Sequence, residues 1–179
     1  ISSVKIEGAL HEFQTVEGVV EDVTTIILNL KKVVVKNHSN EMKTIRINVN
    51  QEGPVTAGDI DHDSDIEILN PDLVIANVAK GGSLVMEMTV SNGRGYVRSE
   101  DNKKLLDIRK VGVIAVDSLF SPIERVSYEI ESARVGQDES YDKLVLQVWT
   151  NGSIRPEEAI ALASRILIEH FNILTNLSN

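Results

Sequence analysis

The sequence predicts an α+β fold, with a mostly-β part in the first two thirds of the chain and α/β structure that ends in a long helix. Short segments that alternate apolar and polar residues lie between 43 and 110, and clusters of turn residues separate them. Two stretches instead repeat apolar residues with the period of a helix, one at 21–32 and a longer one at 156–174. The chain has 179 residues, 42% of them apolar, which suffices for one large domain or two small ones.

The first elements follow from local patterns. Residues 4–8 alternate as a strand does, and 10–13 also have a strand-like composition. Residues 21–32 predict a helix, because acidic residues open the segment, lysines close it, and one apolar stripe runs along it. That stripe consists of Val23, Ile26, Ile27 and Leu30. The three β-branched residues at 33–35 predict a further strand.

The middle of the chain predicts strands at 45–49, 74–78 and 84–90. Between and around them lie turn-forming clusters at 37–40, 53–54, 59–65, 70–72 and 81–82. Residues 92–110 are polar, charged and glycine-containing, so this stretch predicts a long, mobile loop.

The last third predicts a short strand at 113–116, then a hairpin whose strands are joined through 136–140. The second hairpin strand, around 144–149, is apolar on both faces and predicts a central position in a sheet. Pro156 has the position of a proline in the first turn of a helix. Apolar residues cover about half the circumference of that helix. Two alternatives stay open: a helix packed deeply in its own sheet, or one that serves both its sheet and a partner chain.

Charge and composition exclude several classes of function. The 27 acidic and 18 basic side chains give a net charge of −9, which argues against binding to a nucleic-acid backbone. The absence of cysteine excludes disulfides and thiolate metal sites. Apolar runs are too short to span a membrane, and no signal peptide is recognisable. The first residue is Ile rather than Met, so we expect a fragment of a longer chain.

The densest acidic cluster contains Asp59, Asp61, Asp63 and Asp65, whose oxygens could bind Ca²⁺. The spacing of an EF-hand fails here, however, because neither a glycine at position 6 nor a glutamate at position 12 is present. A solvated acidic turn is the alternative. The four histidines show no ligand spacing, and we find no nucleophile or acid–base pair. The sequence therefore predicts neither a catalytic site nor a cofactor.

Eleven segments, in the same order across nearly the whole chain, resemble the alpha-subunit family of bacterial DNA-directed RNA polymerases. They are 4–13 (VKIEGALHEF), 18–23 (GVVEDV), 26–31 (IILNLK), 55–60 (VTAGDI), 65–71 (DIEILNP), 93–96 (GRGY), 121–126 (SPIERV), 133–135 (ARV), 141–144 (YDKL), 150–154 (TNGSI) and 156–159 (PEEA). The loop from 98 to 110 matches the family pattern least, so nothing is transferred to it.

The resemblance implies a non-catalytic assembly subunit of a nucleotidyltransferase, in the bacterial cytoplasm. Residues 1–122 would be an inserted subdomain that contacts the beta and beta-prime subunits. Residues 123–179 would be the second half of a subdomain that forms a homodimer with a second alpha subunit, and its first half would precede Ile1. The family's separate DNA-binding domain has no counterpart here, so no direct DNA contact is expected. The chain alone should then self-associate or leave 156–174 poorly ordered.

The resemblance also places binding residues. Those facing the second-largest subunit, beta, would be His11, Glu12, Phe13, Glu21 and Asp22, the last two in the turn 18–22. Those facing the largest subunit, beta-prime, would be Lys31, Val116, Ile123 and Lys143. The dimer helix would use Ile160, Ala163, Leu167, Phe171 and Leu174, which favours the two-surface alternative. Simpler interpretations stay open: Lys31 as a helix cap, Val116 and Ile123 as core, and Lys143 as a solvated strand end.

Overall fold

The structure, a computed structural model, describes residues 1–105 and 111–178, and the backbone alone at 138, 139 and 178. Two compact units make up the chain, Ile1–Ser121 and Pro122–Asn179. Strands and helices occur together, as the predicted α+β class requires. The role that the sequence assigns to each part stays a prediction.

The first unit is mostly β structure with two helices in its described residues. Its strands are β1 (Ser3–Ile6), β2 (Val35–Asn37), β3 (Lys43–Val49), β4 (Gly53–Thr56), β5 (Ile66–Ile68), β6 (Val74–Val78), β7 (Leu84–Val90), β8 (Tyr96–Val97), β9 (Val113–Ala115) and β10 (Ser118–Leu119). Its helices are α1 (Val23–Leu30) and α2 (Ser99–Leu105), with a 3-10 turn at Ala57–Asp59. The predicted strands at 45–49, 74–78, 84–90 and 113–116 are confirmed within a residue or two.

A four-stranded antiparallel sheet in the order β3-β7-β1-β9 forms the centre of this unit. Alternation puts Ile45, Met88 and Val4 in one row on the buried face, where all three are fully buried. The opposite face carries charged rows, such as Arg46 beside Glu87. Period-2 patterning in the sequence therefore determines which face becomes core. The pairs β2–β5, β4–β6 and β8–β10 form smaller two-stranded sheets.

Helix α1 is confirmed, two residues shorter at each end than predicted. Asp22 caps it, since its Oδ1 accepts a hydrogen bond from Thr25 N at 2.8 Å. The whole predicted stripe of the helix is buried against the core. The preceding turn is anchored by a close backbone approach: a Cβ on Gly82 would lie 2.2 Å from Gly18 O. Only glycine fits at that contact.

Two predictions early in the chain are wrong. Residues 10–13 form a turn rather than a strand, because Gly8 adopts a φ of +85° and breaks the extended backbone. Phe13 is 82% exposed, so a strand at 10–13 would not bury this side chain in the core. The strand predicted at 33–35 begins only at Val35, because α1 ends in further turns at 31–32.

Two predictions in the middle of the chain are also wrong. Gly53 and Pro54 open strand β4 instead of forming a turn. Among the described strands β4 pairs only with β6, so it is an edge strand, and an edge strand tolerates proline, which has no backbone N–H. The loop predicted at 92–110 contains β8 and α2, because Asn102 is buried and donates from Nδ2 to Val116 O at 2.7 Å. The rest of that prediction, 106–110, lies outside the described residues.

The second unit consists of a long hairpin and a long helix. Strands β11 (Ile123–Val135) and β12 (Asp138–Thr150) form the predicted antiparallel hairpin. Their link is two residues long, 136–137, and so shorter than the predicted 136–140. Helix α3 (Pro156–Thr175) is confirmed and leads into a 3-10 turn at Asn176–Ser178. The central sheet position predicted for 144–149 is wrong in the described part of the chain, because β12 pairs with β11 alone. The apolar residues on both faces of β12 therefore do not show that both faces are covered by other elements.

Candidate functional site

Three adjoining concavities lie along strand β9 and the residues that follow it, 116–119, and form one groove in the first unit. Their volumes are roughly 330, 180 and 260 Å³. We call this the β9 groove and define it by His11, Glu12, Lys31, Val116 and Asp117, which line it at successive points. Four of these five residues are among those that the resemblance assigns to large-subunit contacts. Folding thus brings together residues that are up to about a hundred positions apart in sequence.

Lys31 and Asp117 form the charged centre of the β9 groove. Lys31 Nζ lies 3.3 Å from Asp117 Oδ2, and both side chains are about one-third exposed, at 37% and 33%. Asp117 Oδ1 also accepts from Ser99 N at 2.7 Å, and the Tyr96 side chain lines the same part of the groove. The Ser99 hydrogen bond, with help from Tyr96 and Lys31, lowers the pKa of Asp117 to about 2. The groove therefore holds a fixed carboxylate that is ionised at neutral pH.

Val116 lies between these groups but is only 5% exposed. Its backbone N–H donates to Ser2 O at 3.1 Å, which extends the β1–β9 pairing by one residue. Of the two interpretations open for this residue, a partner contact and core packing, core packing matches the observed burial. Val116 shapes the floor of the groove rather than presenting a side chain on its surface.

The turn before α1 presents an exposed apolar patch made of Leu10, Phe13 and Val20. The His11 ring lies 6.4 Å from the Phe13 ring, in a tilted arrangement, and Phe13 N donates to His11 Nδ1 at 3.3 Å. Glu12 anchors the turn through its carbonyl, which accepts from Thr24 Oγ1 at 2.7 Å. His11, Glu12 and Phe13 are thus all on the surface, as a contact role requires.

Glu21 and Asp22 have internal partners. The Glu21 carboxylate accepts from both donors of Asn77: the backbone N at 2.6 Å and Nδ2 at 2.7 Å. This pair joins the turn before α1 to strand β6. The Asp22 carboxylate is occupied as the helix cap, and the Thr25 hydrogen bond lowers its pKa. Both side chains therefore hold the turn in place, whatever else they contact.

Ile123 and Lys143 are both in the second unit, on different strands of the hairpin. Ile123 is half-buried and pairs with Thr150. Lys143 is exposed and forms an ion pair with Glu131 Oε2 at 2.8 Å, directly across the hairpin. Seven strand positions separate Lys143 from Thr150, which is about 23 Å at roughly 3.3 Å per residue. The structure does not bring Ile123 and Lys143 together.

Every predicted dimer residue of α3 is exposed, although Ile160 is only just so. Burial of α3 in its own sheet, one of the two alternatives, is not observed. His170, on the same helix, is exposed as well. One face of the hairpin likewise carries a row of apolar and aromatic cross-strand pairs, Val126–Val148, Tyr128–Leu146 and Ile130–Leu144. The second unit therefore presents large apolar surfaces on both of its elements.

The acidic turn 59–65 is occupied by a lysine. Lys43 Nζ lies 2.9 Å from Asp63 Oδ2 and 2.7 Å from Asp65 Oδ2, and these contacts raise the pKa of Lys43 and lower that of Asp63. Asp59 instead accepts from Thr56 N at 2.7 Å. Across the residues described, no three histidine, aspartate or glutamate side chains are placed to hold a metal ion. The Ca²⁺ alternative has no support.

Asp117 and Asn102 are the site residues that sequence reasoning missed. Asn102 Nδ2 bridges Val116 O and Ser118 Oγ, and so attaches α2 beside the groove. Neither residue belongs to a motif. The residues that each one contacts are too far away in sequence for a local pattern to reveal the contact.

Among the described helices, none is long and apolar enough to cross a bilayer.

Comparison with known proteins gives a consistent result. Residues 4–121 match the family described as RNA polymerase Rpb3/RpoA insert domain. The chain is 57% identical over 178 residues to the DNA-directed RNA polymerase subunit alpha of Moorella thermoacetica, and 56% identical over 178 residues to that of Carboxydothermus hydrogenoformans. It is 54% identical over 179 residues to that of Bacillus velezensis. These alignments cover 99% or more of this chain but 56% of each relative, so the chain spans about half the length of the curated relatives it matches.

Proposed function

Because the chain belongs to the RNA polymerase Rpb3/RpoA insert domain family, we propose that it is an assembly subunit of a bacterial DNA-directed RNA polymerase. In this role it performs no chemistry itself but helps to bring the two large catalytic subunits together. The observation that carries the proposal is an identity of 54–57% to polymerase alpha subunits over essentially the whole chain.

Two surfaces of the first unit are proposed to contact the large subunits. The exposed turn with His11, Glu12 and Phe13 is assigned to the beta subunit, and Lys31 in the β9 groove to beta-prime. Support comes from exposure: a large aromatic side chain in the open is a typical anchor of a protein interface. Glu21, Asp22 and Val116 are assigned a supporting role, because their groups are bonded or buried within the chain.

The second unit is proposed to form the homodimer and to complete the beta-prime contact through Ile123 and Lys143. Support comes from α3, whose residues Ile160, Ala163, Leu167, Phe171 and Leu174 are all exposed. A helix that exposes apolar side chains along most of its length is typical of an association surface. Residues 1–122 and 123–179 then correspond to an inserted subdomain and to part of a dimerisation subdomain.

The remaining proposals concern the environment. A chain with a net charge of −9 offers a DNA backbone no attraction, so we assign it no direct DNA contact. As a polymerase subunit it would work in the bacterial cytoplasm.

Capture by the second-largest polymerase subunit tests the central proposal. The chain is immobilised, beside a version extended at its amino terminus, and affinity for purified beta subunit is measured. Phe13→Ser should weaken binding by about 30-fold, since loss of a buried aromatic anchor costs about 2 kcal/mol or more. Met42→Ser is the matched control, because Met42 is also an exposed apolar residue but lies on neither assigned surface, and it should have no effect.

Three outcomes are informative. Capture by both versions supports a contact made by the first unit alone. Capture by the extended version only means that the dimerisation subdomain is needed as well. Capture by neither version, or equal binding by the Phe13 and Met42 variants, contradicts the assignment.

A further inference from the structure

Three elements of the first unit meet at a single carboxylate that the sequence does not mark. Lys31, the residue that ends α1, reaches Asp117 Oδ2 with its ammonium at 3.3 Å. The first backbone N–H of α2, at Ser99, donates to Oδ1 at 2.7 Å. Tyr96, from β8, lines the same part of the groove, and the Asp117 carboxylate raises the pKa of its hydroxyl. Asp117 therefore fixes the end of α1 relative to α2.

The arrangement determines where the Lys31 ammonium lies. A lysine side chain loses rotamer entropy when it is held in one place. An ion pair that remains about one-third exposed gains little net free energy, so the pair does little for the stability of the chain. What it does provide is a fixed direction, because the carboxylate is itself held by the Ser99 N–H and cannot follow the lysine. An ammonium carries three donors, and Asp117 uses one of them.

We infer that Asp117 is a positioning residue: it holds the Lys31 ammonium over the β9 groove, with donors left for acceptor oxygens of the largest polymerase subunit. This inference rests on the proposed function. A side chain that is already ordered loses less conformational entropy on association, so its ordering increases the affinity for the partner. Asp117 need not touch the partner to have this effect.

A double-mutant cycle separates positioning from a structural role. Affinity for the purified largest subunit is measured for the full chain, for Lys31→Met, for Asp117→Asn and for the double variant. Asn is isosteric and can still accept from Ser99 N, but its amide group no longer attracts the ammonium. Each single variant should weaken binding about tenfold, and the double variant should be no weaker than either, because both remove the same contact. Asp117→Glu should recover part of the loss.

The matched control is Asp101→Asn, which breaks a comparable exposed ion pair with Lys104 at 2.8 Å. It should leave affinity unchanged. The NMR signal of the Lys31 ammonium gives an independent readout that a purely structural role would not move. It should be sharp in the unmodified chain and in Asp101→Asn, and exchange-broadened in Asp117→Asn.

The inference is overturned by any of three results: Asp117→Asn binds within twofold of the unmodified chain, the two losses multiply in the double variant, or the Lys31 signal is unaffected by Asp117→Asn. If the unmodified chain does not bind the largest subunit at all, the proposed beta-prime contact fails, and the inference fails with it. If binding depends on Lys31 but not on Asp117, only the inference fails.

Discussion

The Glu21–Asn77 pair offers a direct test of how the turn before α1 is held. Glu21→Ala removes both acceptors and leaves the Asn77 backbone N–H and amide without their partner. A hydrogen bond to a charged group contributes about 1.5–3 kcal/mol, and the half-exposed setting favours the lower end. We therefore expect the free energy of unfolding of the first unit to fall by about 3 kcal/mol. Glu21→Gln keeps one acceptor and should cost about half as much.

Urea unfolding measures this loss. With a slope of about 2 kcal/mol/M, a loss of 3 kcal/mol lowers the midpoint by about 1.5 M. The only tryptophan, Trp149, is in the second unit, so its fluorescence does not report on the first unit. Far-UV circular dichroism and hydrogen exchange of peptides from β6 are the suitable probes.

Glu17→Ala is the matched control, because Glu17 is an exposed carboxylate in the same turn and its removal changes the net charge equally. It should shift the midpoint by less than about 0.3 M. The reasoning would be refuted if the Glu21 and Glu17 variants were equally stable, since Glu21 would then contribute through its charge alone.

Two further outcomes are expected. Gly82→Ala should destabilise the first unit by about 2 kcal/mol or more, because the new Cβ would lie 2.2 Å from Gly18 O. The control Lys80→Ala, nearby in the chain, should leave the stability unchanged. Thermal unfolding followed by circular dichroism distinguishes the two variants, and a stable Gly82→Ala chain would contradict the close approach. The stability of the first unit should also fall below pH 4. Asp117 has a pKa of about 2 in the folded chain and a higher pKa in the unfolded chain. The contribution of Asp117 to stability is therefore complete above the unfolded pKa and disappears towards pH 2. Asp117→Asn should flatten that part of the acid titration curve, and an unchanged curve would show that its carboxylate contributes nothing to stability.

Much of the fold could be predicted from periodicity alone. Strands β3, β6 and β7 and helices α1 and α3 have long, regular patterns, and each element buries or exposes a face that its own residues define. The errors occur where local composition competes with distant contacts. Helix α2 has no apolar stripe. It is attached through Asn102 to Val116 and Ser118, and no pattern in the sequence of α2 predicts these contacts.

The candidate site was predictable only in part. Family resemblance identified exposed residues such as Phe13 and Lys31, but it could not separate a residue that faces a partner from one that supports such a residue. Burial places the Val116 side chain in the core, and hydrogen bonds join Glu21 to Asn77, which is why both are proposed to support the surface. Asp117 escaped notice because its partners lie at the end of α1 and at the start of α2, and only the folded chain brings them to one point.

The second unit has no buried residue among those whose side chains are described. A two-stranded hairpin is at best marginally stable in water, so little free energy keeps its backbone closed against local opening. A protease that attacks open chain would therefore cut this half first. A covering partner would suppress that cleavage by mass action, to a degree set by its concentration. Resistance of the second unit to cleavage would therefore report how much of its surface a partner covers.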